Sequence, residues 1–334
     1  MRRIYIIYWV IIGCVWFSAC TEHEDVYRNR VPEEIRLNAV VDEVKNISRN
    51  SSSAANDTMQ AAVWFSLQQG KYPKSLPDSL KENPQMVAMS AESNVPIHTV
   101  IKFKSGVAAS PDTVETARPR YPTEGSVYCV GFIPSVGWNI EAGDSTVTRK
   151  VLGTEDLMFA PQIEGSWNSH FPTQRFRHLL TWLKINVCAT TAEAGNYWGK
   201  LKKITLFKVP TQLTINLNRN EGDNFNLRNA VAFSDTTDVD ILDTQTGVDL
   251  GVTIKEVTST FCHPQQTYKL IIECENGMTK DVPITLSSLT GEEISNFPSG
   301  LQYVLTLYFH PFNVVEGVCT LKEWNAQNED LYPN

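Results

Sequence analysis

The chain lacks the residue groupings that most chemistry needs. Its seven cysteines contain no Cys-x-x-Cys pair and its six histidines no His-Glu-x-x-His spacing, so zinc ribbons, thiol redox sites and zinc hydrolases are without their ligands. Gly-x-Ser-x-Gly, a Walker loop and Gly-x-Gly-x-x-Gly are also missing, which removes the serine-hydrolase, nucleotide-hydrolase and dinucleotide classes. Positive charge is scarce: 29 Lys and Arg face 37 Asp and Glu, a net −8 with no basic stripe, which excludes nucleic acid as a partner. Neither enzyme activity nor a cofactor or metal is expected. A pair of glycosidase carboxylates is the exception that spacing leaves open, because the separation of two acids is not written in a sequence.

What is present begins with an address. Arg2 and Arg3 precede an apolar run from Ile4 to Ala19, shorter than the roughly 20 residues that span a bilayer. This order is that of a secretory signal. Phe17-Ser18-Ala19-Cys20 resembles a bacterial lipobox, with Phe17 where Leu is usual, and makes Cys20 the expected lipidated N-terminus. The acyl chains would hold the protein on outer-membrane lipid without crossing it. The acidic run Thr21 to Asp25 follows directly, so residues 1–19 read as signal peptide and 20–34 as an acidic linker.

From there the pattern is all-β. Ile35, Leu37, Ala39 and Val41 alternate with polar neighbours, the mark of a half-buried strand over Ile35–Val44. Further strands are expected at Ala62–Leu67, Thr99–Lys104, Ser126–Ile133, Asp156–Ile163, Leu179–Val187, Lys203–Val209, Gln212–Asn218, Val252–Val257, Tyr268–Glu273, Asp281–Leu286, Gln302–Phe309 and Val315–Trp324. Asn276-Gly277 signals a type I′ hairpin, and Gly291–Phe297 a helical turn. Short strands over 334 residues indicate two antiparallel β-sandwich domains, 35–218 and 219–334, divided in the polar stretch after Asn218. Four of Cys129, Cys188, Cys262, Cys274 and Cys319 lie in apolar strand-like runs, and as an odd set the five read as buried thiols rather than a disulfide framework.

Of the singled-out side chains, His178 in Phe176-Arg177-His178-Leu179-Leu180 reads as a packed or hydrogen-bonded strand residue in preference to a catalytic one. Trp182 and Trp324 read as core. Trp138 and Trp167, beside Gly137 and Gly165, are the expected exposed aromatics and so the candidate glycan contacts.

Ordered landmarks carry a resemblance. These are the lipobox at Cys20, the strand at Ile35–Val44, Asp156-Leu157-Met158-Phe159-Ala160, Phe176-Arg177-His178-Leu179-Leu180, and Gly300 to Leu307 leading to Trp324. In this order on a two-sandwich pattern, the chain resembles the fimbrillin family, lipoprotein-derived subunits of type V pili. The resemblance implies transthyretin-like sandwiches and a structural role in an adhesive fimbrium at the cell outer membrane. It also implies assembly by donor-strand exchange. A trypsin-like maturation protease would cut after Arg49, in the Ser/Asn-rich loop, and release Ile35–Val44; Arg28, Arg30 and Arg36 are competing positions, Arg36 the poorer because a cut there would split the strand. A neighbouring pilus subunit would fill the space with a segment such as Val315–Trp324, through Val315, Val318, Leu321 and Trp324. The alternative is a lipid-anchored glycan-binding protein of the outer surface.

Overall fold

Residues 33–41, 58–72, 99–104, 119–140, 145–218, 231–265, 267–285 and 300–322 are described by the computed structural model. Within them the chain forms sixteen strands and one helix. In order these are β1 (Ala39–Val41), β2 (Thr58–Ser66), β3 (Thr99–Lys104), β4 (Ser126–Ile133), β5 (Asn139–Ile140), β6 (Thr146–Lys150), β7 (Met158–Ser166), β8 (Gln174–His178) and β9 (Thr181–Ala189). After the helix α1 (Ala192–Trp198) come β10 (Lys200–Asn216), β11 (Val231–Asp249), β12 (Lys255–Cys262), β13 (Thr267–Cys274), β14 (Thr279–Thr285), β15 (Gln302–His310) and β16 (Val314–Lys322).

Three sheets result. The first runs β1-β8-β7-β4-β2-β3, the second β14-β13-β10-β6-β5 with β11 on β10, and the third β12-β9-β15-β16. The ladders are antiparallel except for β1–β8 and β9–β15. The first sheet is covered on both faces, which is why Ala61-Ala62-Val63-Trp64-Phe65 in β2 is apolar without alternation. One face, with Val63, Phe65, Val127, Cys129 and Phe176, forms a core with the first strand. The other, with Trp64, Phe132 and Phe159, packs on Val147 of β6 and Leu213 and Ile215 of β10. A third core lies between β9, β15 and α1 on one side and β10, β13 and β14 on the other.

The expected strands Lys203–Val209 and Gln212–Asn218 are one strand, β10. Its first half pairs β13 and its second half β6, while β11 follows it along its length. Pro210 sits between the two partners, where its missing N–H leaves no gap in either ladder. The boundary expected at 219 therefore falls between β10 and β11, which pair with each other. β9 and β10, from before residue 219, also pair β12, β13 and β15 from beyond it. A fragment of residues 219–334 would lack both partner strands, and circular dichroism and amide exchange should find it unfolded; a cooperatively folded fragment would restore a division there.

One local reading is corrected. The β13–β14 connection is not type I′, since Gly277 has φ +74 but Asn276 does not have positive φ. Instead, Gly277 N–H donates to Cys274 O at 3.1 Å and Cys274 N–H to Met278 O at 2.9 Å, a turn followed by a glycine bulge. The described helix is α1, started by Thr191, whose hydroxyl accepts from Ala194 N–H at 3.1 Å. Gly291–Phe297 lies outside the described residues.

Candidate functional site

The segment 33–41 has few backbone bonds and deeply placed side chains. Ile35, Leu37 and Ala39 are buried and alternate with exposed Arg36 and Asn38, as the period-two pattern required. They complete the core made by β2, β4 and Phe176 of β8. Burying an Ile or Leu side chain is worth about 1.5–3 kcal/mol, so this contact outweighs the short ladder. That ladder is the three-residue parallel pairing of Ala39, Val40 and Val41 with Gln174, Arg175 and Phe176. Three further backbone bonds hold the segment: Ile35 N–H to Pro119 O at 2.9 Å, Tyr121 N–H to Glu33 O at 2.9 Å, and Gln174 N–H to Asn38 O at 2.7 Å.

β1 is an edge strand of the first sheet, next to β8. Taking it away would expose the backbone edge of β8 together with an apolar trough of Val63, Phe65, Cys129 and Phe176, a vacancy shaped for another strand. The receiving surfaces at 119–121 and 174–176 were not legible beforehand, because the first has no strand pattern and the second, Gln-Arg-Phe-Arg-His, is mostly polar. Arg49 and Cys20 lie outside the described residues, as do residues 42–44 of the expected first strand.

β16 is likewise an edge strand, pairing β15 over nine residue pairs from His310↔Val314 to Gln302↔Lys322. Its inward residues are Val315, Cys319 and Leu321. Val318, expected on that face, points outward with 42% exposure, because an offset of three from Val315 changes faces in a strand. Trp324 lies outside the described residues.

Trp138 is corrected too. It is fully buried, its indole N–H donates to Pro134 O at 2.8 Å, and the Arg149 guanidinium lies 5.0 Å from its ring centre. A buried ring offers no face to a glycan; the neighbouring Gly137, at φ +86, serves the close approach of Arg149. Trp167 is half-buried at a turn tip. His178 is a hydrogen-bonded residue of β8, with Nδ1 2.6 Å from Oδ2 of Asp156, both side chains largely buried. His263 packs against Phe233, and burial pushes its pKa down to about 4. Among the described residues no group of His, Cys, Asp and Glu could hold a metal ion, and no helix is long and apolar enough to cross a membrane.

Cys129, Cys188, Cys262, Cys274 and Cys319 are free and buried. Burial raises the Cys262, Cys274 and Cys319 thiols to about 12, and Cys129 well above its ordinary value. These four thiols stay protonated and Cys188 is shielded by its burial, so a thiolate-directed reagent at pH 8 should label all five slowly in the folded protein and at once in denaturant. The sign for stability follows. With folded values above unfolded ones, the contribution is complete below about pH 9 and declines as pH rises towards 12. Rapid labelling of any of the five without denaturant, followed by mass spectrometry, would overturn the buried-thiol reading.

Against solved structures, the chain matches a proposed cell adhesion protein from Bacteroides uniformis with a TM-score of 0.51 at 12% identity, covering 88% of this chain and 99% of that one. The chain shares that protein's fold. Two Porphyromonas gingivalis structures also match. The fimbrial anchor protein Mfa2 has a TM-score of 0.42 at 12% identity, with 88% and 98% covered. The tip fimbrial protein Mfa3 has 0.40 at 10%, with 88% and 100% covered. No family model and no curated protein matches the sequence.

Proposed function

We propose that the protein is a structural subunit of a cell-surface fimbrium, of the fimbrillin type, acting in adhesion and assembling by donor-strand exchange. The observation that carries this reading is the first strand: an edge segment tied by few backbone bonds, whose Ile35, Leu37 and Ala39 fill a trough that another chain's strand could fill instead. The fold shared with a protein named for cell adhesion supports it. Export as a lipoprotein through Cys20, attachment to outer-membrane lipid, and cleavage by a trypsin-like protease after Arg49 belong to the same proposal, with other pilus subunits as the partners. The donated strand would come from the region of β16, whose inward Val315, Cys319 and Leu321 already serve as a strand's apolar face.

Limited trypsin digestion followed by size analysis tests this reading. Loss of the first strand with formation of detergent-resistant ladders supports it, and a digested protein that stays monomeric at high concentration removes it.

A further inference from the structure

At one end of the first sheet, two loop tips enclose an open groove. β4 begins at Ser126 and β7 ends at Ser166, directly opposite in the ladder. The chain leaves β7 through a turn closed by Ser166 N–H to Ser169 O at 2.7 Å and Ser169 N–H to Ser166 O at 3.2 Å, which places Trp167 and Asn168 at its tip. It enters β4 through residues 123–125, with Gly125 at φ +82. Thr123, Glu124, Ser126, Trp167 and Asn168 face the same space, a volume of about 470 Å³. Small-molecule sites fall in the range of about 300–1,000 Å³.

We propose that this groove binds one or two residues of a neutral glycan. Sugar rings present two chemistries at once, an apolar C–H face and a rim of hydroxyls. The groove offers a match for both: an indole, and around it a carboxylate, an amide and hydroxyls that donate and accept. Trp167 also packs against the core beneath the sheet, so its ring is held in position before a ligand arrives. The sign of charge narrows the class. Glu124 lines the groove, Glu164 stands beside it accepting from the Ser126 hydroxyl at 2.5 Å, and neither Lys nor Arg is among the lining residues. Sialylated, sulfated and uronic-acid sugars would meet like charge without a cation to offset it. The lining of the groove comes from β4, β7 and their loops and not from the first strand, although Trp167 packs on the core that the first strand completes.

The test is calorimetric titration of the purified protein with neutral gluco-, manno- and galacto-oligosaccharides and with sialyllactose. Binding of at least one neutral series and none of sialyllactose is expected. Trp167→Ala should weaken that binding about ten-fold or more, and Trp167→Phe should retain most of it. Because Trp167 also touches the core, Asn168→Ala at the exposed tip serves as the second variant: it should weaken binding several-fold while the circular dichroism spectrum stays that of the folded protein. The inference is overturned if no neutral series binds at millimolar concentration, or if one binds equally well to Trp167→Ala and Asn168→Ala. Asn168→Ala should still polymerise after trypsin treatment, so loss of sugar binding and loss of assembly remain separate results.

Discussion

Trypsin added in small amounts to the purified precursor should remove residues up to Arg49 first, and the shortened protein should then polymerise. Before the cut, the first strand is tethered to its own trough, and its effective concentration there far exceeds that of any strand on a neighbour. Breaking the tether changes the comparison. The released strand is left with its short ladder and the burial of Ile35, Leu37 and Ala39, and once it diffuses away dilution prevents its return. The vacancy cannot stay empty, because unpaired backbone of β8 and bare Phe176, Val63 and Phe65 would face water. Arg49→Ala should slow the first cleavage and suppress ladders. Leu37→Asp should act in the opposite direction, loosening the strand by placing a carboxylate in the core and allowing assembly with less protease. Electrophoresis without boiling reads both outcomes, and ladders that form equally with and without cleavage would contradict the mechanism.

Arg149→Ala should lower stability by about 3 kcal/mol, measured by denaturant unfolding. Arg149 is a buried cation on β6 whose guanidinium donates to Val136 O and pairs with Glu155 Oε1 at 2.5 Å while covering the Trp138 ring. Removing it leaves a carbonyl and a carboxylate without their donor and opens a cavity above the indole. Glu155 keeps some contact with water, with 26% of its side chain exposed, which holds the loss to the lower end of that for breaking a buried pair. Glu155→Gln should therefore cost less than Arg149→Ala, since Arg149 keeps its carbonyl partner and its ring. An equal cost for the two would mean that the ion pair, and not the packing on Trp138, dominates.

Short strands rich in apolar residues announced themselves in the sequence. Ser126–Ile133 has the expected bounds, and Ile35, Leu37 and Ala39 turn inward as alternation requires. β11 did not, although it is the longest described strand. It reads Val-Ala-Phe-Ser-Asp-Thr-Thr-Asp-Val-Asp, with Asp235, Asp238, Asp240 and Asp243 on an exposed edge, so the apolar period is replaced by charge that keeps other chains from pairing there. Its specificity lies in cross-strand partners: Lys203 Nζ stands 2.9 Å from Asp240, which holds the Asp240 carboxyl below its ordinary range despite the opposing desolvation, and Thr205 donates to the same carboxylate at 2.7 Å. Such a pattern has no period to detect. The candidate site was half legible for a related reason: the first strand shows its alternation, whereas the surface it packs on is assembled from Pro119 and Tyr121 together with Gln174, two stretches far apart in the chain. Trp138 departs from its sequence pattern because the glycine beside it makes room for an arginine instead of marking an exposed turn.

β10 has a mechanical meaning. One continuous strand contributes Leu201, Ile204 and Leu206 to one core and Leu213 and Ile215 to another, with β11 paired to it from Lys200↔Asp249 to Ile215↔Val231 across three register shifts. A pull that tries to part the two cores runs along this ribbon, so the bonds between β10 and β11 must slide together rather than open one after another. Resistance to such a pull is set by the barrier to unfolding and not by equilibrium stability. A filament built from these subunits would bear tension through a covalent backbone braced by a shear-loaded ladder, and its weakest point would lie at the joints between subunits rather than inside them.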